Sequence, residues 1–538
     1  MDTKRTCAFV IVGLVILAGV ANCPAAEPNN VAGALEQRLG KAPSSALGIT
    51  RSSTANGCRI AWAEQRGAKC VVVIDGQAGL EYDGIMKGSL VFSSDGKRVA
   101  YVATKGDKWL VVVDGQAGPE YDGVAAPIFS PNGKRVAYTA GKNNKGFVVV
   151  DGQVGLEYDA IGKESLIFSS DGKQVAYRAK KGNKWLVVID NQVGPEYDTI
   201  GTFVTTFGVS DLTKSFLDSP GFVLSSDGKR VAYNAKEGDK WFMVVDGKAE
   251  MEEVRDIIFS PDGKRVAYVI AKDNHEFVVI DDQVEPTYDS VTSPIFSPDG
   301  KKIAYRAQKG DKWFVVVDGQ PGPEYETVGA LTTTFASPGS GAPLITIHIG
   351  SPGFVFSQEG NRLAYAARVA YGDKNGYPYK WLVIVDGQAG PEYDAIETPV
   401  FSPDGKHVAY WAKKGDKSFI VVDGQVGAEY DYVGDIVFSS DGKRMAYEVE
   451  KGDKRFVIVD GKAKPEYDGI GKGSLVFSPD GKRVAYVAQK GDKQLVVING
   501  QAGPEYDGVA CEPIFLKDGT VEYIAGKKDM LYRVQVKP

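Results

Sequence analysis

Histidine is the scarcest chemically versatile residue in this chain of 538 residues. There are three, His275, His348 and His407, in separate parts of the sequence. No H-E-x-x-H, P-loop or G-x-S-x-G pattern occurs, so the residue sets of metallohydrolases, nucleotide-phosphate binders and serine hydrolases are missing. A basic excess is missing as well: 63 Lys and Arg stand against 69 Asp and Glu, a net charge of −6. Nucleic-acid surfaces usually show as a basic stripe, and none is present. The calcium-loop spacing D-x-[DN]-x-[DN]-G is absent despite many Asp-Gly pairs, which therefore read as turns. The expectation is no catalytic residue, no metal and no cofactor.

Long apolar runs are confined to the N-terminus. Lys4 and Arg5 precede Ala8 to Ala21, and Cys23-Pro24-Ala25-Ala26 follows. This reads as a signal peptide over 1–26, cleaved after Ala25 or Ala26. The expected product is periplasmic or extracellular, without a membrane span. An uncleaved anchor or a lipidated Cys23 is the alternative. Residues 27–45, polar with Pro28 and Pro43, read as a tether. The remaining cysteines are Cys58, Cys70 and Cys511. Repeat alignment sets the first two at opposite ends of a hairpin, roughly 15–20 Å apart, so free thiols are expected.

What the chain has in abundance is one sentence, Phe477-Ser-Pro-Asp-Gly-Lys-Arg-Val-Ala-Tyr486. Near-copies start at Phe92, Phe129, Phe168, Leu224, Phe259, Phe296, Phe356, Phe401 and Phe438. Degenerate copies pass through Asn56-Gly57 and Asp518-Gly519. A period of about 38 residues fixes the architecture before any local reading. In the unit from Ser89 to Val124, a short apolar strand meets the turn Ser94-Asp-Gly-Lys97. An alternating strand (Arg98 to Ala103) follows, then the turn Lys105-Gly-Asp-Lys108. The apolar run Trp109 to Val113 is next, then the turn Asp114-Gly-Gln116 and a short strand with Glu120-Tyr-Asp122. Four antiparallel strands per unit define a β-propeller blade. Such a unit cannot bury both its faces alone, so neighbours must cover them. Residues 513–538 supply three strands and stop; Ala46 to Thr50 is the expected fourth, joining the termini and removing exposed edges.

The motif F-S-P-D-G-K-R-V-A-Y, followed by a strand and an Asp-Gly turn, resembles the WD40-like (PD40) repeat of TolB-type propellers, over residues 46–538. The resemblance implies an all-β fold, with an innermost strand ending at Ser-Pro-Asp-Gly and an outermost strand carrying Glu-Tyr-Asp. TolB-type propellers usually have six blades, whereas this chain has eleven complete units and a partial twelfth. Two six-bladed rings, 46–290 and 291–538, are the simplest partition; one large ring over 46–538 is the alternative.

Residues that recur in every unit serve the blade, so departures are the better functional suspects. Three insertions, 201–220, 329–352 and 368–379, fall on the end of the blade that holds the second turn and the crossover. They carry the candidate partner-binding residues Phe203, Phe207, Phe216, Phe335, His348, Tyr371, Tyr377 and Tyr379, an aromatic load unusual for solvated loops. The two longer ones share Thr-Thr-Phe and Ser-Pro-Gly-Phe, which duplication of packed loops also explains. Trp109, Trp185, Trp241, Trp313 and Trp381 occupy one repeat position, where blade packing outweighs a ring of sugar-stacking aromatics. The expected function is a non-enzymatic scaffold binding an unidentified protein or peptide. A lectin-like, glycan-binding propeller is the alternative, and a channel-sited hydrolase or lyase ranks below it.

Overall fold

The computed structural model describes residues 34–41, 48–54, 56–201, 221–249, 254–329, 335–336, 343–344, 354–370 and 379–537. Among them every regular element is a strand. The strands form twelve small antiparallel sheets and one separate pair, Phe335–Ala336 with Pro343–Leu344. The fold is all-β, a β-propeller of twelve blades, as the repeat count requires. In chain order the blades span 48–82, 84–117, 123–154, 160–193, 199–249, 254–284, 290–321, 327–389, 395–426, 432–463 and 469–502; blade 12 joins 508–536 to 34–41.

Blade 3 shows how the sequence makes the sheet. Its second strand, Val136–Lys142, alternates Val136 and Tyr138 with Ala137, and all three are buried. The third strand, Lys145–Val150, pairs with it in register from Ala137 opposite Val150 to Lys142 opposite Lys145. Asp151 and Gly152, at φ 51° and 82°, then turn the chain into Gln153–Val154. Two successive positive φ values are the geometry of a tight hairpin whose twist matches its strands, so Asp-Gly stands there. The first strand comes in two pieces, Gly123–Val124 and Ile128–Phe129, both paired with the second strand. Tyr158 of Glu-Tyr-Asp bridges back to Gly146 at the edge of the sheet.

Cores form between sheets. Val148 and Tyr158 of blade 3 and its crossover pack on Val175, Tyr177, Leu186 and Val188 of blade 4. Tyr158 and Tyr177 meet edge to face, with centroids 6.3 Å apart at 74°; such a pair contributes about 0.5–1.5 kcal/mol beyond area burial. The repeated sentence also fastens the blades. Ser439 Oγ donates to Asp441 Oδ1 at 2.6 Å and accepts from Arg444 N at 2.9 Å. Arg444 Nε donates to Asp460 Oδ2 at 2.7 Å, while Nη1 reaches Gly481 O and Lys482 O of the next blade at 2.9 and 2.7 Å. The guanidinium lies 5.5 Å from the Phe477 ring centroid.

Contacts gather the chain into two compact units. One comprises Met1–Gly106, Val112–Gln116 and Gly434–Pro538; the other comprises Asp107–Val111 and Ala117–Val433. The expected boundary at 290/291 lies within the second unit. There Val278 and Ile280 of blade 6 share a core with Val291, Tyr305 and Phe314 of blade 7, so no break separates them.

Closure differs from expectation. Ala34–Lys41, inside the segment read as a tether, pairs antiparallel with Met530–Val536 and completes blade 12. Gly48–Thr54 instead pairs with Gly57–Arg66 as the first strand of blade 1. The reason is local: Asn56-Gly57 is the first turn of blade 1, so the strand before it belongs to that blade. The closing strand is held by Leu39, 3% exposed in a cluster with Cys58, Ile60 and Leu531, and by Tyr506 Oη donating to Glu36 Oε1 at 2.5 Å. Cys58, Cys70 and Cys511 are all buried.

Candidate functional site

The blade end that holds the second turn and the crossover has a regular electrostatic pattern. In blade 3, Lys145 Nζ donates to Asp159 Oδ1 at 2.6 Å, and Asp159 Oδ2 accepts from Gly182 N of blade 4 at 2.7 Å. The aspartate of Glu-Tyr-Asp thus ties its own third strand to the next blade's turn. The Lys145 hydrogen bond and the Gly182 amide hold the Asp159 carboxyl below its usual range. Both side chains are nearly half exposed, so the pair adds little stability. Two histidines take positions filled by other cations elsewhere. His275 faces Asp289 at 3.6 Å where Lys145 faces Asp159, and His407 Nδ1 lies 2.6 Å from Asp423 Oδ2 where Arg444 meets Asp460.

The pattern continues past the first insertion, where Asp198 accepts from Gly238 N at 2.8 Å and pairs with Lys184 at 2.9 Å, and an arginine stands at the root of each insertion. Arg178 of blade 4 donates from Nη1 to Ile200 O at 2.8 Å, at the base of the first insertion. A Cβ on Gly221, at the insertion's far side, would lie 2.9 Å from the same Nη1. Arg306 of blade 7 holds the equivalent place in its strand and donates from Nη1 to Val328 O at 2.6 Å, at the base of the second. Burial depresses the pKa of both guanidiniums. They lie 6.0 Å from the Trp185 ring and 5.8 Å from the Trp313 ring. At the third insertion, Arg368 stacks on Tyr379 at 4.1 Å. The Nε atoms of these three arginines are the buried arginine nitrogens without a hydrogen-bond partner among the described residues.

Most of the expected site lies outside the described residues: Phe203, Phe207, Phe216, His348, Tyr371 and Tyr377. Phe335 pairs with Leu344 in the two-stranded piece of the second insertion. Tyr379 opens the third strand of blade 8 and is 40% exposed. Of the shared Ser-Pro-Gly-Phe motif, Phe222 and Phe354 are core residues, 2% and 1% exposed. Trp185, Trp313 and Trp381 pack against core clusters between blades, whereas Trp241 is 44% exposed. Sequence reasoning passed over Arg178 and Arg306. Their position is variable, holding Val102, Thr139, Val269 and Val487 in four other blades and Asn234, Trp411 and Glu448 in three more, so only the coincidence of arginine with the two long insertions could have marked it.

No family model and no curated protein matches the chain. Among solved structures, it is similar to the β-propeller domain of the Trilobed protease from Pyrococcus furiosus (14% identity, 52% of this chain and 92% of that one, TM-score 0.24). TolB from Acinetobacter baumannii is 13% identical over 62% of this chain and 84% of its own, with a TM-score of 0.20. The Myceliophteria thermophila Cps50 (Swd1) β-propeller domain is 13% identical over 54% and 98%, with a TM-score of 0.22. The propeller assignment rests on the sheets themselves, and similarity at this level carries no activity across. No helix among the described residues is long and apolar enough to cross a membrane.

Proposed function

We propose that the chain is an exported, non-enzymatic β-propeller scaffold that binds a protein or peptide partner. Binding uses the blade end carrying 201–220, 329–352 and 368–379. The observation behind this reading is the set of three root arginines: departures of length in the loops coincide with departures of residue type in the strands beneath them. A charged donor to a backbone carbonyl contributes about 1.5–3 kcal/mol, more than a loop free to be lost would warrant. Export is supported by the N-terminal signal pattern. A non-enzymatic role is supported by the two described histidines, each serving in its blade as Lys or Arg serves in others.

The test is affinity capture from envelope and culture extracts with the intact chain, beside a variant in which 329–352 is replaced by the short crossover of blade 3. Loss of specific partners with unchanged circular dichroism supports the reading. An identical partner set removes it.

A further inference from the structure

Two departures from the repeat come together at the closing seam, between blade 12 and blade 1, and both are cysteines. Cys58 follows the turn Asn56-Gly57, where nine other blades place a lysine. Lys264 and Lys301 at that place have side chains 81% and 82% exposed, whereas Cys58 is fully buried. Cys511 lies in Gly508-Val-Ala-Cys-Glu-Pro-Ile-Phe515, one residue longer than Gly123-Val-Ala-Ala-Pro-Ile-Phe129 of blade 3. The extra residue disturbs the ladder, and register shifts fall on both sides of Cys511. Such a bulge re-aims a side chain. Cys511 is 1% exposed and shares one core with Cys58, Ile60 and Trp62 of blade 1.

Blade 12 also holds Cys58 by its backbone. Glu522, buried, stands where the other eleven blades have alanine. Its Oε1 accepts from Cys58 N at 2.6 Å and its Oε2 from Gln535 Nε2 at 2.7 Å. Arg533 Nη2 donates to Cys58 O at 3.0 Å and pairs with Asp75 of blade 1 at 2.9 Å. A buried carboxylate is tolerated only with partners of this kind. The clamp sets the Cys58 sulfur 3.4 Å from Glu522 O and 3.8 Å from the carbonyl of Glu512, the residue next to Cys511. A shared core and that spacing fit the roughly 4.4–6.8 Å between the Cα atoms of a disulfide. Cys70 is not part of this core.

We propose that Cys58 and Cys511 form a disulfide that ties the first blade to the last. Disulfide oxidants act outside the reducing cytosol, so the bond rests on the export reading for its setting. One cysteine thiolate attacks the disulfide of the oxidant, a glutathione-type or protein dithiol couple, giving a mixed disulfide and one oxidant thiol. The second thiolate then displaces the other oxidant sulfur. The two cysteines lose two protons and two electrons, and the oxidant leaves as two thiols. Both sulfurs are enclosed once the seam is closed. Exchange therefore takes place before the seam shuts, and later reduction requires it to open.

The experiment refolds the full chain from urea and reductant into a buffer of reduced and oxidised glutathione. Thiols are then trapped with iodoacetamide in denaturant and the peptides mapped by mass spectrometry. The expected result is a cross-linked Cys58–Cys511 peptide with Cys70 alkylated. The linked chain runs faster than the reduced one on a denaturing gel, because a loop spanning most of the sequence compacts the unfolded chain. That shift is lost in Cys58→Ala and in Cys511→Ala and kept in Cys70→Ala. Dithiothreitol reverses it at least ~10-fold more slowly in the folded protein than in urea. Should an alanine variant misfold, the peptide map and reduction rate of the unaltered chain still decide. Alkylation of both Cys58 and Cys511 in chain folded by circular dichroism, a link from either to another cysteine, or links only between chains overturns the proposal. The oxidant is supplied in the buffer, so such a failure leaves the export and partner-binding readings untouched.

Discussion

Leu39→Ala tests the closure of the propeller. Leu39 is 3% exposed, packed with Cys58, Ile60 and Leu531, on a strand whose partner, Met530–Val536, lies at the other end of the sequence. Truncating a leucine so enclosed removes its transfer energy and leaves a cavity, together about 2–5 kcal/mol. The matched control is Ile49→Ala: Ile49 is 42% exposed and lies in the segment that sequence alone nominated for closure. Its truncation shifts stability by no more than about 0.5 kcal/mol. Because a repeat array opens locally, the readout is hydrogen exchange at the amides of 530–536, backed by urea unfolding. Leu39→Ala accelerates that exchange roughly 30-fold or more, and Ile49→Ala leaves it unchanged. The reverse pattern, or indifference to both, refutes the assignment of 34–41 as the closing strand.

Other outcomes follow from the same contacts. Tyr486→Phe removes a buried hydroxyl that lacks a partner among the described residues, so thermal unfolding shows unchanged or raised stability, by up to about 1 kcal/mol. Arg444→Ala severs Asp460 and two carbonyls of the next blade; the loss, read by urea unfolding, is about 1–2 kcal/mol because the pair is partly solvated. Asp299 and Asp404 are held at about 2, first by the hydroxyls of Ser297 and Ser402 and then by turn amides. A depressed folded-state value means stability present above the unfolded value near 3.8 and lost as pH falls from there towards 2. Ser402→Ala therefore makes the unfolding midpoint less dependent on pH across that window, and an unaltered profile rejects the linkage.

Much of this architecture is legible without coordinates, for a physical reason. The hairpin signals are local: Asp151-Gly152 adopts the positive φ pair that its residue types favour. The alternation of Val136, Ala137 and Tyr138 already states which strand is buried. The rule that recurring residues serve the blade also matches the described contacts. The tyrosines of Val-Ala-Tyr and Glu-Tyr-Asp meet across seams, as Tyr158 meets Tyr177. The candidate site was less legible. Arg178 and Arg306 are single-residue departures, and nothing beside them in the chain says that they reach the roots of loops 22 residues further on.

The sequence by itself determined the blade, its repeat number and its turns, because each depends on residues within about 38 positions of one another. Tertiary structure alone decided which segment closes blade 12 and which side chains meet across each seam. Ala34–Lys41 carries no alternating pattern, and Leu39 becomes a core residue only against Leu531 and Cys58. Gly155 and Glu285 hold equivalent hairpin positions, and only the neighbouring blade decides that the Glu285 carboxylate comes to lie against Gly319. Burial at a seam belongs to two sheets at once, and no single stretch of chain contains both.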